Sequence, residues 1–137
     1  MRAVLDPNVI ISGLLAPDGT PANILRLWLD GGFEFVASEQ LLAELRRATR
    51  YPKLAKRIPS EAVDELIALI RRTAQMTTGP ADPPVTRSRD AHNNYLIALA
   101  AGTRAAIVSG DRDLLSLSEE IPVYSPSAFL ALIADSR

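Results

Sequence analysis

Two short apolar runs, Ala3-Val4-Leu5 and Ala106-Ile107-Val108, each lead within a few residues to an aspartate at a turn. The first continues as Asp6-Pro7-Asn8 and the second as Ser109-Gly110-Asp111. A near-continuous apolar run of this length is the mark of a strand buried on both faces, and such strands belong to parallel sheets. In open α/β sheets, ligands sit in the crevice outside the carboxyl ends of the strands. Two buried strands that both deliver an acid to that edge therefore restrict the fold and nominate a site together.

The chain between and around these runs alternates in character. Residues 9–16 and 22–30 read as helices, the second burying Ile24, Leu25, Leu27 and Trp28 and stopped by Gly31-Gly32. Residues 33–37 read as a strand. Ser38 is a good N-cap for a helix over 39–50, with Glu39 at the positive end of its dipole and an apolar stripe of Ala37, Leu41, Leu45 and Ala48. Tyr51-Pro52 breaks it, residues 53–58 form a short turn or helix, and Pro59-Ser60 opens another helix with Val63, Leu66, Ile67, Ile70 and Ala74 on one face. A short strand over 75–78 precedes a proline-containing loop over 79–89. The polar cluster Asp90-Ala91-His92-Asn93-Asn94 leads into an apolar stretch, 95–101, that predicts a helix buried all round, capped by Asp90 or Asn93 and ending at Gly102. A strand over 105–109, a helix over 112–117, a strand over 122–124 and a helix over 127–134 complete the chain. Strands alternating with helices imply an α/β fold, a parallel sheet with helices on both faces, in one domain over residues 1–137.

Composition narrows the function. Of the 137 residues, 47% are hydrophobic and 23% charged, which excludes disordered and fibrous classes. No apolar run reaches the roughly 20 residues of a membrane helix, and Asp6 interrupts any signal-peptide core at once, so no membrane partner and a cytoplasmic location are expected. There is no cysteine, which removes disulfides and thiolate metal sites. Net charge is −1, so the molecule as a whole does not advertise nucleic-acid binding. Its basic residues are nevertheless clustered: Arg46, Arg47, Arg50, Lys53, Lys56 and Arg57, then Arg71, Arg72, Arg87 and Arg89. They are either solvated helix faces or, if they line one groove, a hold on a phosphate backbone.

Glu44 falls between Leu41 and Ala48 in helical spacing, at the edge of the apolar stripe rather than outward with Arg46 and Arg50. A carboxylate there either swings to water or, if buried, must be paired or coordinate something. Magnesium and manganese take carboxylate oxygens, and two such ions can drive in-line displacement at phosphorus without a side-chain nucleophile. A chain with no cysteine, one histidine and no serine in a nucleophile-elbow context suits that chemistry better than covalent catalysis.

These residues, taken in order, resemble the PIN-domain ribonucleases, and most closely the bacterial VapC-like toxins of toxin–antitoxin pairs. The resemblance runs through the start from Val4-Leu5-Asp6-Pro7-Asn8 to Ser12, then Ser38 to Glu44-Leu45, and Tyr51-Pro52-Lys53-Leu54. It continues with Arg89-Asp90 to Ala100, Val108-Ser109-Gly110-Asp111-Arg112-Asp113-Leu114-Leu115, and Pro126 to Leu130. It implies a three-layer α/β/α sandwich with a central parallel sheet, magnesium- or manganese-dependent cleavage of single-stranded RNA, an antitoxin partner and a homodimer. By position, Asp6 matches the first acidic ligand, Glu44 the second and Asp111 the fourth. Asn8 and Ser109 match residues that orient the ligands, and Asp113 an accessory acid. The third position departs: Asn94 stands where an aspartate is usual, so the site lacks one negative charge and should hold metal less tightly. Pro7 also replaces the commoner threonine.

Asp90, four residues before Asn94, shares its helix face if it lies in the first turn and then substitutes as a ligand; otherwise it is a cap. His92 is either a solvated loop residue or a ligand to metal or phosphate. Asp111 and Asp113 also have a reading as helix-capping residues. The Asn93-Asn94 pair motivates an alternative, a degenerate member that binds RNA or protein without cutting. A haloacid-dehalogenase-type phosphatase is disfavoured, because that chemistry needs a second acid where Asn8 stands.

Overall fold

A computed structural model describes residues 1–77 and 93–135. Five short strands, β1 (Arg2–Leu5), β2 (Glu34–Ala37), β3 (Gln75–Met76), β4 (Ala106–Val108) and β5 (Val123–Tyr124), form one sheet in the order β3-β2-β1-β4-β5. Every neighbouring pair is parallel. The helices among the described residues are α1 (Pro7–Leu15), α2 (Thr20–Leu29), α3 (Glu39–Thr49), α4 (Pro52–Ala55), α5 (Ser60–Thr73), α6 (Asn94–Thr103), α7 (Arg112–Leu115) and α8 (Pro126–Asp135). They flank the sheet in the expected three-layer α/β/α arrangement.

The order of the strands determines where a site can lie. From β1 the chain steps outward to β2 and β3, then crosses to β4 and β5 on the other side of β1. The direction of travel therefore reverses between β1 and β4, the switch point at which open α/β sheets bind ligands. Leu5 pairs with Val108 at the carboxyl ends of these two strands, and Asp6 extends the ladder by donating its N–H to the Val108 carbonyl at 3.0 Å. Ser109 continues it by donating its N–H to the Tyr124 carbonyl of β5.

Ala3, Val4, Leu5, Phe35, Val36, Ala37, Ile107 and Val108 are almost wholly buried, as strands covered on both faces require. Each large apolar side chain among them contributes about 1.5–3 kcal/mol by leaving water. Trp28 of α2 packs edge-on against Phe35 of β2, and Phe129 of α8 against Phe33, with ring centroids 5.2 and 5.1 Å apart. Gly31 ends α2 with φ +83°, a conformation that side chains with a Cβ rarely adopt.

Several elements depart in detail from the sequence expectation. The inward stripe of α3 is Leu41, Leu42, Leu45 and Thr49, while Ala37 belongs to β2. Thr49 can be buried because its hydroxyl donates back to the Leu45 and Arg46 carbonyls. Helix α6 is not buried all round: it lies across β1, β2 and β4 with Leu96, Ile97, Leu99 and Ala100 inward, and leaves Ala101 and Gly102 exposed. A helix on the outer layer of a sandwich covers the sheet with one side only, and small residues on the other side cost little in water. It also runs through Gly102, ending at Arg104, whose φ of 55° is left-handed. No helix among the described residues is long and apolar enough to cross a membrane.

Candidate active site

Asp6 and Asp111 are built alike. Each follows a central strand, each is the N-cap of the next helix, and each accepts the N–H of the residue two further on. Asn8 N–H donates to Asp6 Oδ1 at 2.9 Å, and Asp113 N–H to Asp111 Oδ1 at 2.8 Å. The capping reading of Asp111 is therefore correct, and the cap is also what aims its carboxylate along the sheet edge. Asn8 and Asp113 serve here through their backbone N–H groups. Proline at the first position of α1 supports the same geometry, because its missing N–H would have had no helical partner.

Ser109 joins the two acids. Its hydroxyl donates to Asp6 Oδ2 at 2.7 Å and accepts the Asp111 N–H at 3.0 Å. The other oxygen of the second acid, Asp111 Oδ2, accepts from the side-chain amide of Asn93 at 2.9 Å. Asn93 was a capping candidate in the sequence, yet it makes no side-chain cap to α6, because its amide is spent on Asp111. Its sequence position beside Asn94 gave no signal for that role.

Burial raises the Asp6 carboxyl above its ordinary range, and the nearby negative charge of Asp111 adds to the effect. The hydrogen bonds from Asn8 and Ser109 oppose it. Asp6 is 4% exposed, and among the described residues neither Asp6 nor Asp111 has a lysine or arginine within ion-pair distance. The pair thus concentrates negative charge at the switch point with no built-in counter-ion.

Glu44 has a counter-ion. Arg47, one turn further along α3, reaches its Oε2 with Nη2 at 2.6 Å and Nε at 3.2 Å. The third arginine nitrogen, Nη1, donates to the Tyr51 hydroxyl at 3.1 Å. Sequence reasoning placed Glu44 at the stripe's edge, where it lies half-buried, but did not identify Arg47; the i,i+3 spacing carried that signal. Tyr95 of α6 feels the charges of both sides. Burial raises its phenol well above the ordinary value, the charges of Asp6 and Glu44 raise it further, and Arg47 opposes them. Tyr95 therefore sits within electrostatic reach of all three, on a residue that looked in the sequence like plain core.

The structure brings Asp6 and Asp111 together and places Glu44 nearby, but Glu44 does not close a cluster with them. Among the described residues no group of three or more His, Cys, Asp or Glu is arranged to hold a metal ion. Asn94 is half-buried at the start of α6, next to Asn93. Asp90 and His92, together with Arg87 and Arg89, lie outside the described residues. The donors present still fit a hard divalent cation. Each aspartate oxygen has accepted one hydrogen bond, which leaves lone pairs on both carboxylates. Magnesium is commonly held by one or two carboxylates, with waters and substrate phosphates completing the shell.

Comparison with known proteins agrees with the fold. The PIN domain family model matches residues 2–113, from β1 through Asp113. The chain belongs to the PIN-domain family. A relative from the archaeon Methanocaldococcus jannaschii, an uncharacterized protein, is 32% identical over 123 residues, covering 88% of this chain and 77% of the relative. PIN domains are typically nucleases and generally use divalent metal ions, so nuclease-type activity follows from membership at that level. All the acids discussed above fall within the matched stretch.

Proposed function

We propose that this PIN domain is a metal-dependent endoribonuclease that cleaves single-stranded RNA, acting in the cytoplasm as the toxin of a toxin–antitoxin pair and as a homodimer. The observation that carries the nuclease reading is the Asp6–Asp111 pair at the switch point, joined through Ser109 and without a cationic partner among the described residues.

Bound magnesium or manganese would supply water activation and offset charge on the phosphate oxygens. The chain's own residues provide the rest. Asp6 and Asp111, fixed by backbone N–H groups and the Ser109 hydroxyl, offer oxygens whose positions are set before any ligand arrives. Glu44 and the amide oxygen of Asn94 extend the donor set, the latter without charge. Asp90 could add a further carboxylate. Asn93 holds Asp111 through its side-chain amide, and Asp113, close by in sequence, is an accessory acid.

A second reading has its own support: with Asn94 at the third ligand position and no three-acid group among the described residues, the domain would bind RNA or a partner protein without cutting. One experiment separates the two. Labelled single-stranded RNA is incubated with the protein in manganese, in magnesium and in chelator, alongside Asp6→Asn and Asn94→Asp. Cleavage stimulated by the metals and lost in Asp6→Asn supports the nuclease. An inert parent that becomes active as Asn94→Asp supports the second reading. If neither protein cuts or retains RNA, the nuclease reading and the RNA-binding form of the second reading both fail.

A further inference from the structure

Tyr51 is one of the large apolar residues left in water, at 56% exposure. Single exposed hydrophobics are ordinary, but this one is held in place. Its hydroxyl takes a hydrogen bond from Arg47, whose other nitrogens grip Glu44, so the ring is tied to the candidate acid of α3. Glu44 lies on α3 and Tyr51 just beyond its end, where it precedes α4, so Arg47 ties the two elements together. Arg47 has five N–H donors and commits three of them here, and its side chain is more than half exposed, which leaves two donors for a ligand. Arg50 and Lys53 flank Tyr51 in sequence, are exposed, and have no acid within ion-pair distance among the described residues. Basic residues at the end of α3 suit its dipole, but the dipole does not explain an exposed aromatic ring fastened to one of them.

We propose that Tyr51 and Arg47 form a strand-binding subsite for single-stranded RNA beside the acid pair, Tyr51 stacking a base and Arg47 holding the adjacent phosphate. The inference rests on the ribonuclease reading and adds to it the path by which the strand leaves the centre. Single-stranded RNA is bound by pairing aromatic faces, on which unpaired bases stack, with guanidinium groups on the phosphates. An acidic peptide would be satisfied by the charges alone and would have no use for the ring.

The test is binding of a fluorescein-labelled oligoribonucleotide to the full chain, followed by anisotropy in chelator, where cleavage is suppressed. Tyr51→Ala should weaken binding on the order of tenfold, and Tyr51→Phe should recover most of the loss, because stacking needs only the ring. Tyr51→Leu, which keeps apolar bulk, should behave like Tyr51→Ala. Arg47→Gln should lower the slope of log K against log salt by about 0.7, the value of one phosphate contact on a single strand. A parent that cuts and binds RNA while Tyr51→Ala and Tyr51→Leu bind equally well overturns the subsite and leaves the ribonuclease standing. A parent that neither binds nor cuts RNA overturns both. Loss of affinity for a labelled acidic peptide but not for RNA in Tyr51→Ala assigns the face to a protein partner and also overturns the subsite.

Discussion

Ser109 Oγ lies 2.7 Å from Asp6 Oδ2, and its single proton is committed to that carboxylate while its lone pair takes the Asp111 N–H. One wholly buried hydroxyl therefore sets the spacing of two acids that belong to different strands and lie 105 positions apart in the sequence, a separation bridged by the β1–β4 pairing. The carboxylates are held by neutral donors, which fix their direction without cancelling their charge.

Replacing Ser109 with alanine removes that donor and leaves a buried carboxylate one bond short. The expected loss is about 1–3 kcal/mol of folding stability, the cost of an unsatisfied buried group, with little contribution from packing because the side chains are close in size. Urea denaturation at neutral pH measures it. A change below about 0.5 kcal/mol, the scatter of ordinary surface substitutions, would mean that the bond contributes nothing.

Asp6 gives a pH dependence whose sign follows from burial. Its folded pKa is raised, so the native state holds the proton more tightly than the unfolded chain, whose carboxyl has the ordinary value of 3.8. Stability from this group is fully present below 3.8 and is lost as pH rises through the raised folded value. Asp6→Asn keeps an oxygen for the Asn8 N–H and removes the charge. In chelator the variant should gain stability over the parent at about pH 7 and lose that advantage at about pH 3.5. The same variant should lack metal-stimulated cleavage. Parallel denaturation curves at the two pH values decide the first point.

Glu44 offers the opposite balance. Its ion pair with Arg47 is partly exposed, with side chains 33% and 57% accessible, so Glu44→Gln should cost less than about 1 kcal/mol of stability. Under the proposed function it should nevertheless lower kcat/KM for RNA by on the order of a hundredfold or more, the range over which single groups that act on a reacting phosphate or its ligands are felt. A variant that cuts RNA as well as the parent would leave Glu44 as a surface ion pair and nothing more.

The strands and the acids that end them were legible because burial on both faces writes an apolar run and a turn writes its own residues. Arg2–Leu5 was read to the residue, and the other strands to within a residue or two. The strand order was not legible, since nothing local in the sequence says that β4 returns to the far side of β1. The roles of Asn93, Arg47 and Tyr95 were not read for the same reason: each is defined by a partner on another element or by a side-chain choice that periodicity does not encode. Asn93 could equally have capped α6, and Tyr95 could have been core.

Under the proposed function Asn94 stands at a metal-ligand position, and it gives the sharpest measurement of what the site holds. An aspartate there would add a carboxylate at the first position of α6, favourable for the helix dipole but, in the proposed site, unfavourable beside the other acidic ligands until a cation is present. Asn94→Asp should therefore change stability little in chelator, because the two effects oppose. It should bind manganese on the order of tenfold more tightly than the parent, since affinity at oxygen sites follows the number of charged ligands. A tenfold gain corresponds to about 1.4 kcal/mol, and at saturating manganese it should appear as an extra stabilisation of that size in denaturation curves. Calorimetric titration of both proteins measures the affinity directly. Equal affinities would place residue 94 outside the metal's shell and would leave Asp6 and Asp111, with whatever the neighbouring chain supplies, as its holders.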